Sequence, residues 1–299
     1  MAFKKLMARL GAGNAQVETV LVSPDTTPGG TVAGTVTVTG GSVAQQFDRI
    51  RVELVATVEV ESGDASWRED VTFGAAVVAE GSTIEAGEQR SIPFGFDVPW
   101  QCPFTTVGQW HLRGMRVGLR TRVDIPGGVD PGDLDAVHVR PLPVQVAVLE
   151  ALERLGFSFR GADVEKGRLR GSELPFYQEV EFWPPRELRG RINELEVTFL
   201  TDRQGADVVL EVDRRGGLLS EGRDVAGRLR LSHDDTDVAA VAAGLDAAVR
   251  QWGARGGGRA PPPPPRPGGG PRVRSGADRR LAALVGGTGP ACRVPVRRA

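Results

Sequence analysis

Residues 50–60, IRVELVATVEV, alternate apolar side chains with mostly polar ones over eleven positions. A period of two places every second side chain on one face of an extended chain, so the pattern predicts a half-buried strand. The segments TVAGTVTVT, SIPFGFDV and MRVGLRTRVDI follow the same rule, and Gly- and Pro-rich turns lie between them. Proline cannot donate to a β-ladder, so Pro93 indicates an edge strand. Strands at this spacing predict a β-sandwich over residues 1–140.

A second unit begins with a predicted helix. The segment VQVAVLEALERLGF places Val148, Leu152 and Leu155 on one helical face, and Gly156 favours its C-terminal end. Strands resume in PFYQEVEFW, ELEVTFLT and DVVLEVDR, and the Ala-rich residues 237–252 predict a terminal helix. We therefore predict a mainly β protein with two tandem sandwich domains, at residues 1–140 and 141–252, with a short helix between them.

The composition changes abruptly after Trp252. Residues 253–299 contain ten arginines and one acid, a formal charge of +9, so the preceding residues carry −10. Proline and glycine at this density cannot build a packed core, and we expect a disordered tail. The tail could bind a proline-recognising domain or an acidic surface, or it could be a solvated appendage. The acidic body argues against nucleic acid as a partner, because nucleic-acid binding neutralises phosphates with Lys and Arg.

Both ends of the sequence bear on location and assembly. No run of eighteen apolar residues occurs and the N-terminus lacks an apolar signal core, so we expect a cytoplasmic protein. The segment FKKLMARL predicts a short amphipathic helix that could lie on an anionic membrane, pack on the first sandwich, or contact a second subunit. Peripheral membrane contact is the most this segment supports, and a homodimer is compatible with it.

Cys102 and Cys292 are too few for a disulfide framework or a cysteine zinc site.

Catalytic motifs are missing from the sequence. It contains no G-x-S-x-G, no phosphate-binding G-x-x-x-x-G-K-[ST], no H-E-x-x-H and no C-x-x-C. The three histidines, His111, His138 and His233, are scattered, which favours structural or exposed positions over metal ligation. We therefore expect neither enzymatic activity nor a cofactor.

A row of arginines is the first candidate binding site. Arg116, Arg120 and Arg122 alternate with other residues in a predicted strand and so project from one face. Guanidinium groups in a row could bind a phosphorylated or acidic peptide of a partner protein. The alternative is cross-strand pairing with acids such as Glu53 or Glu59.

An acidic loop is the second candidate. TRVDIPGGVDPGDLDAV brings the carboxylates of Asp124, Asp130, Asp133 and Asp135 into seventeen residues. These four are candidate metal ligands, and a metal-binding module or a metal-dependent hydrolase centred on them is the alternative function. The spacing lacks the oxygen ligands of a calcium loop at positions 3 and 5. Two type II turns, at residues 125–128 and 130–133, explain the Pro-Gly pairs instead.

Four segments together resemble a known family. They are FKKLMARLGAGNAQVETVL, VDIPGGVDPGDLD, VLEALERLGFSFRGADVEKG and ELPFYQEVEFWP, the last followed by ELEVTFL and VLEVDRR. In this combination the chain is similar to the bacterial sporulation-control proteins of the SpoOM type, which are arrestin-like. The resemblance covers about residues 2–252. It implies two arrestin-like sandwiches and a non-catalytic regulatory or scaffold protein that influences sporulation or cell development through protein partners. It implies no catalytic residue.

Overall fold

The computed structural model describes residues 14–62, 65–127, 130–189, 192–213 and 224–255. The strands in these ranges are β1 Gln16–Leu21, β2 Asp25–Thr26, β3 Thr31–Thr39, β4 Gln45–Ser62, β5 Ala65–Ile84, β6 Gln89–Asp97, β7 Thr106–Val107, β8 Trp110–His111, β9 Val117–Asp124, β10 Gly132–Val139, β11 Ser158–Lys166, β12 Phe176–Trp183, β13 Glu194–Asp202, β14 Gly205–Asp213 and β15 Asp224–Ser232. The helices are α1 Pro143–Arg154 and α2 Val238–Arg255. The predicted mainly β class with two helices is confirmed.

Strand β4 contains the alternating segment and organises the molecule. Its apolar positions Ile50, Val52 and Leu54 are fully buried, as a period of two requires. One edge of β4 pairs with β5 along its whole length. The other edge pairs with β9 through residues 49–56 and then, in parallel, with β11 at Glu59 and Glu165. A single ten-stranded sheet therefore runs through both halves of the chain.

A second sheet completes the N-terminal half. It is three-stranded and antiparallel in the order β1-β3-β6. Its inward residues, among them Val32, Val36 and Val38, join the inward residues of β4 and β9 in one hydrophobic core. Pro93 lies on β6, at the edge of this sheet, as its missing N–H predicted.

The C-terminal half combines five antiparallel strands, β11 to β15, with both helices. Helix α1 begins with Pro143 at its first position, and the Gln145 side chain accepts a hydrogen bond from Leu142 N at 2.8 Å. It ends before Gly156, whose φ of 85° is the left-handed conformation that glycine tolerates. Helix α2 packs on β15, where Gly244 lies beside the Leu229 side chain. The large sheet contains strands from both sides of residue 140. The division into two domains at that residue stays a prediction.

Two expectations concern segments at the ends of the chain. The amphipathic N-terminal segment and all but the first residues of the tail lie outside the described residues. Within the described part, neither helix has the length and apolar character that crossing a bilayer requires.

Candidate functional site

Arg120 and Arg122 of the predicted row lie on the outward face of β9 and are already paired, and Arg116 lies just before the strand. Arg120 donates to the Asp70 carboxylate of β5 at 2.9 Å. Arg122 lies 3.7 Å from Glu53 of β4. The cross-strand alternative therefore describes these two residues. Arg116 is exposed and forms no ion pair with any described residue, so it is the member of the row still available to a partner.

Glu53 is the centre of a charge network on this face. Its side chain is buried and also contacts Arg51 at 3.1 Å. Arg51 in turn donates to Asp124 at 2.9 Å, and this hydrogen bond raises the pKa of the guanidinium. Arg49 reaches the same carboxylate at 3.1 Å. Opposite charges thus alternate across β4 and β9, which is the arrangement that stabilises a polar sheet face.

The acidic loop does not assemble its four aspartates into one ligand set. Asp124 points to the outward face of the large sheet, where two arginines hold it. Asp133 points to the opposite face, where its Oδ2 accepts a hydrogen bond from Thr19 N at 2.7 Å. Asp130 accepts one from Ile125 N at 2.9 Å, within the loop. Among the described residues, no group of three metal-capable side chains includes any of these aspartates.

The two predicted turns have different outcomes. Gly127 has a φ of 64°, which fits the third position of a type II turn over residues 125–128. The turn predicted at 130–133 is wrong, because Gly132 is already the first residue of β10 and pairs with Arg122. Formation of the β9–β10 ladder takes precedence over the local turn preference of Pro131-Gly132.

Asp135 is in an unfavourable environment on β10. Burial, together with the charges of Asp133 and Glu18, raises the pKa of its carboxyl group. One of its oxygens is buried without a hydrogen-bond partner. The acidic loop thus includes a carboxylate whose ionised form is destabilised by its surroundings in the fold.

The structure brings together a carboxylate row that the sequence analysis missed. It comprises five acids on four neighbouring strands: Asp163 and Glu165 on β11, Glu179 on β12, Glu196 on β13 and Glu211 on β14. Two overlapping groups of three, both containing Glu179, place carboxylate oxygens within 4.8 Å of one another. Oxygen ligands in such a group suit a hard cation such as Ca²⁺ or Mg²⁺. Each of the five also has an interaction within the protein itself.

The sequence pattern around the acids of this row is visible but ambiguous. Glu196 and Glu211 each stand between two apolar residues, and Glu179 stands between Gln178 and Val180. Polar residues next to apolar ones are also typical of an ordinary strand with one solvent-exposed face. Glu179, Glu196 and Glu211 are nevertheless only 2%, 6% and 4% exposed. Their approach depends on the register, which sets Asp163 opposite Glu179 and Glu196 opposite Glu211.

The histidines and the described cysteine have structural surroundings. Nε2 of His111 lies 2.9 Å from the Met115 carbonyl, and Nε2 of His233 lies 2.9 Å from the Asp202 carbonyl. Cys102 is buried, and burial raises the pKa of its thiol, which suppresses the reactive thiolate. The ring centroids of His111 and His138 lie 6.3 Å apart, and the expectation that the histidines are structural or exposed stays a prediction.

A nearly uncharged surface lies on the three-stranded sheet. We call it the outer face: the outward residues of β1 (Gln16, Glu18, Val20), of β3 (Thr31, Ala33, Thr35, Thr37, Thr39) and of β6 (Gln89, Ser91, Pro93, Gly95, Asp97). Only Glu18 and Asp97 carry charge, and they lie on its two bordering strands. Val20 is 62% exposed, and Val22, just beyond β1, is 84% exposed.

A depression of about 590 Å³ opens at one end of the outer face. Residues 15–18 of the β1 region, Thr37, Thr39 and Gln89 form its floor and walls. Pro131 and Gly132, from the acidic loop, also line it. The acidic loop therefore borders this depression at Pro131 and Gly132.

Comparisons with known proteins agree over most of the chain. A family model described as SpoOM protein matches residues 3–216. The sporulation-control protein spo0M of Bacillus subtilis (strain 168) is 39% identical over 214 residues, which cover 71% of this chain and 81% of that protein. The crystal structure of Spo0M, sporulation control protein, from Bacillus subtilis superposes with a TM-score of 0.71 at 35% identity. The superposition covers 80% of this chain and 99% of the Bacillus subtilis chain.

Proposed function

The chain belongs to the SpoOM protein family, and from this premise we propose that it is a non-catalytic regulatory protein of sporulation or cell development that acts by binding other proteins. The relative at 39% identity is a sporulation-control protein, and the similarity covers most of both chains. We place this action in the cytoplasm. The proposal then requires a surface on which a protein partner can bind.

The outer face is the observation that carries the proposal. The chain is 25% charged, yet only two of the outward residues of β1, β3 and β6 are charged. Charged residues are depleted at the centres of protein interfaces, because removing a charge from water costs more than removing Thr, Ala or Val. Exposed Val20 and Val22 add apolar area that partner binding would bury.

The depression at one end of the outer face gives this surface a concave part in which partner side chains can bind. Its volume of about 590 Å³ can receive one or more side chains from a partner that lies across β1 and β3. The lining residues Pro131 and Gly132 present no charge there. In this proposal the acidic loop contributes Pro131 and Gly132 to the binding surface.

The test is a charge placed in the middle of the outer face. Thr35→Arg adds a guanidinium at a central position of β3. In affinity capture of partner proteins, this variant should lose the partners that wild type captures, while its circular dichroism spectrum stays unchanged. Ser158→Arg, at the exposed first residue of β11, is the matched control and should retain partner binding. In a deletion strain of the source bacterium, Thr35→Arg should fail to restore normal sporulation and Ser158→Arg should restore it. Equal capture and equal complementation by both variants would contradict the proposal.

Calorimetry separates this proposal from a metal-binding module or metal-dependent hydrolase. Titration with Ca²⁺ and with Mn²⁺ should give no saturable heat, because Asp124, Asp130 and Asp133 already bind arginines or backbone amides. Saturable heat that Asp133→Asn abolishes would support the metal function at the acidic loop. Heat that Glu196→Gln abolishes would place a cation at the carboxylate row.

A further inference from the structure

Strand β5 has a long open edge. It pairs with β4 from Ala65 to Ile84, and no strand among the described residues pairs with its other side. Near its C-terminal end, Arg90 covers the edge by donating to the Ser82 hydroxyl and the Thr83 carbonyl. An unpaired strand edge presents free backbone donors and acceptors, so natural proteins cover it or pair it.

The regular part of this edge is short and well defined. Register shifts in the β4–β5 ladder leave Phe73 and Val78 as extra residues on β5. A bulge bends a strand and interrupts straight pairing on its free side. Ala65 is the first residue of β5. Residues 66–72, SWREDVT, therefore form the longest uninterrupted open stretch within residues 65–84.

This stretch is complementary to itself. We propose that it pairs antiparallel with the same stretch of a second copy of this chain, with Glu69 on a two-fold axis. Directly opposed residues of an antiparallel pair lie on the same face. In this register Arg68 opposes the partner's Asp70, and the symmetry repeats the ion pair. Trp67 opposes the partner's Val71, and Ser66 opposes the partner's Thr72.

The side chains concerned are accessible in the single chain. The side chains of Arg68 and Asp70 are 56% and 45% exposed. Each already has an ion pair within the chain, Arg68 with Glu59 at 3.6 Å and Asp70 with Arg120 at 2.9 Å, and strand pairing would extend these pairs across the interface. Trp67 is 47% exposed, and opposing it to a valine would bury apolar area. Glu69 meets its own copy on the axis, but the Lys166 ammonium lies 2.6 Å from its carboxylate and offsets that repulsion.

Neighbouring registers lack this complementarity. Moving the axis to residue 68 opposes two arginines and sets Trp67 against a glutamate. Moving it to residue 70 opposes two aspartates and sets a glutamate against Val71. Like charges directly opposed destabilise a strand pair. The register centred on Glu69 is thus favoured over its neighbours, which is why a second copy, rather than an unrelated strand, is the occupant we infer.

The dimer is independent of the proposed function. The outer face belongs to β1, β3 and β6, and edge pairing of β5 leaves it exposed. Two copies paired in this way would present two outer faces. Loss of the dimer and loss of partner binding can therefore be observed separately.

Charge variants of the full-length chain test the pairing by sedimentation equilibrium over a range of protein concentrations. Wild type should associate to a dimer. Arg68→Glu and Asp70→Lys each create two like-charge pairs and should weaken association by about tenfold or more. Arg203→Glu, an exposed turn residue of the other half, is the matched control and should associate like wild type.

A mixture of the two variants makes the test specific. Arg68→Glu with Asp70→Lys can form a mixed dimer in which both pairs again have opposite charges, so mixing should restore association. The double variant on one chain should also associate. A wild-type monomer at every concentration, a dimer unaffected by either variant, or a mixture that stays monomeric would each overturn the inference.

Discussion

Replacing Glu53 by glutamine tests whether a buried carboxylate holds Arg122 of the arginine row, together with Arg51, in place. Glu53 lies 3.1 Å from Arg51 and 3.7 Å from Arg122. Glutamine keeps the shape of the side chain and removes its charge. If the network on this face is structural, as the ion pairs indicate, the substitution should lower the free energy of unfolding measurably.

The magnitude follows from the exposure of the three partners. The Glu53 side chain is 8% exposed, whereas Arg51 and Arg122 are 31% and 45% exposed. Breaking a fully buried pair costs about 3–5 kcal/mol, and a surface pair contributes about 0–1 kcal/mol. Both arginines can still be solvated when Glu53 loses its charge. We therefore expect the free energy of unfolding to fall by about 1–2 kcal/mol, between these limits.

Urea unfolding followed by circular dichroism measures this loss. Glu80→Gln is the matched control, since Glu80 is exposed on the same sheet and should change stability by less than about 0.5 kcal/mol. A double-mutant cycle with Arg122→Gln isolates the pairwise energy. If Glu53→Gln behaves like the control, the reasoning is refuted: Glu53 does not hold Arg51 and Arg122, and Arg122 is available for a partner after all.

Three further substitutions test other parts of the structure. Burial, then neighbouring carboxylates, raises the pKa of Asp135, so its ionisation destabilises the fold as pH rises. Asp135→Asn should therefore raise the melting temperature at neutral pH, and the gain should vanish below about pH 3, under the unfolded-state pKa of Asp. Gly40→Ala would place its Cβ 1.9 Å from the Glu85 carbonyl and should cost about 1–3 kcal/mol in urea unfolding, whereas Gly95→Ala, with nothing within 4 Å, should not. Phe182→Ala empties a site that is 0% exposed and should cost about 3–5 kcal/mol by the same measurement.

The local elements of the fold could be predicted because they depend on short-range rules. A period of two marked β4, β9 and β13, and a helical period marked both helices within a few residues of their bounds. Pro93 marked an edge strand through its missing donor. Strand β5 was missed. Its bulges at Phe73 and Val78 shift the alternation along the strand, and bulges form only in response to the partner strand.

The sequence by itself therefore determined which face of a strand each side chain occupies, and the tertiary structure decided what that side chain meets. Arg120 and Arg122 were correctly placed on one face, but the register of β9 against β4, and of β4 against β5, brings them to Asp70 and Glu53. Glu179, Glu196 and Glu211 come from three strands that approach only when the sheet forms. Strand pairing joins residues far apart in the chain, and no local pattern encodes that register.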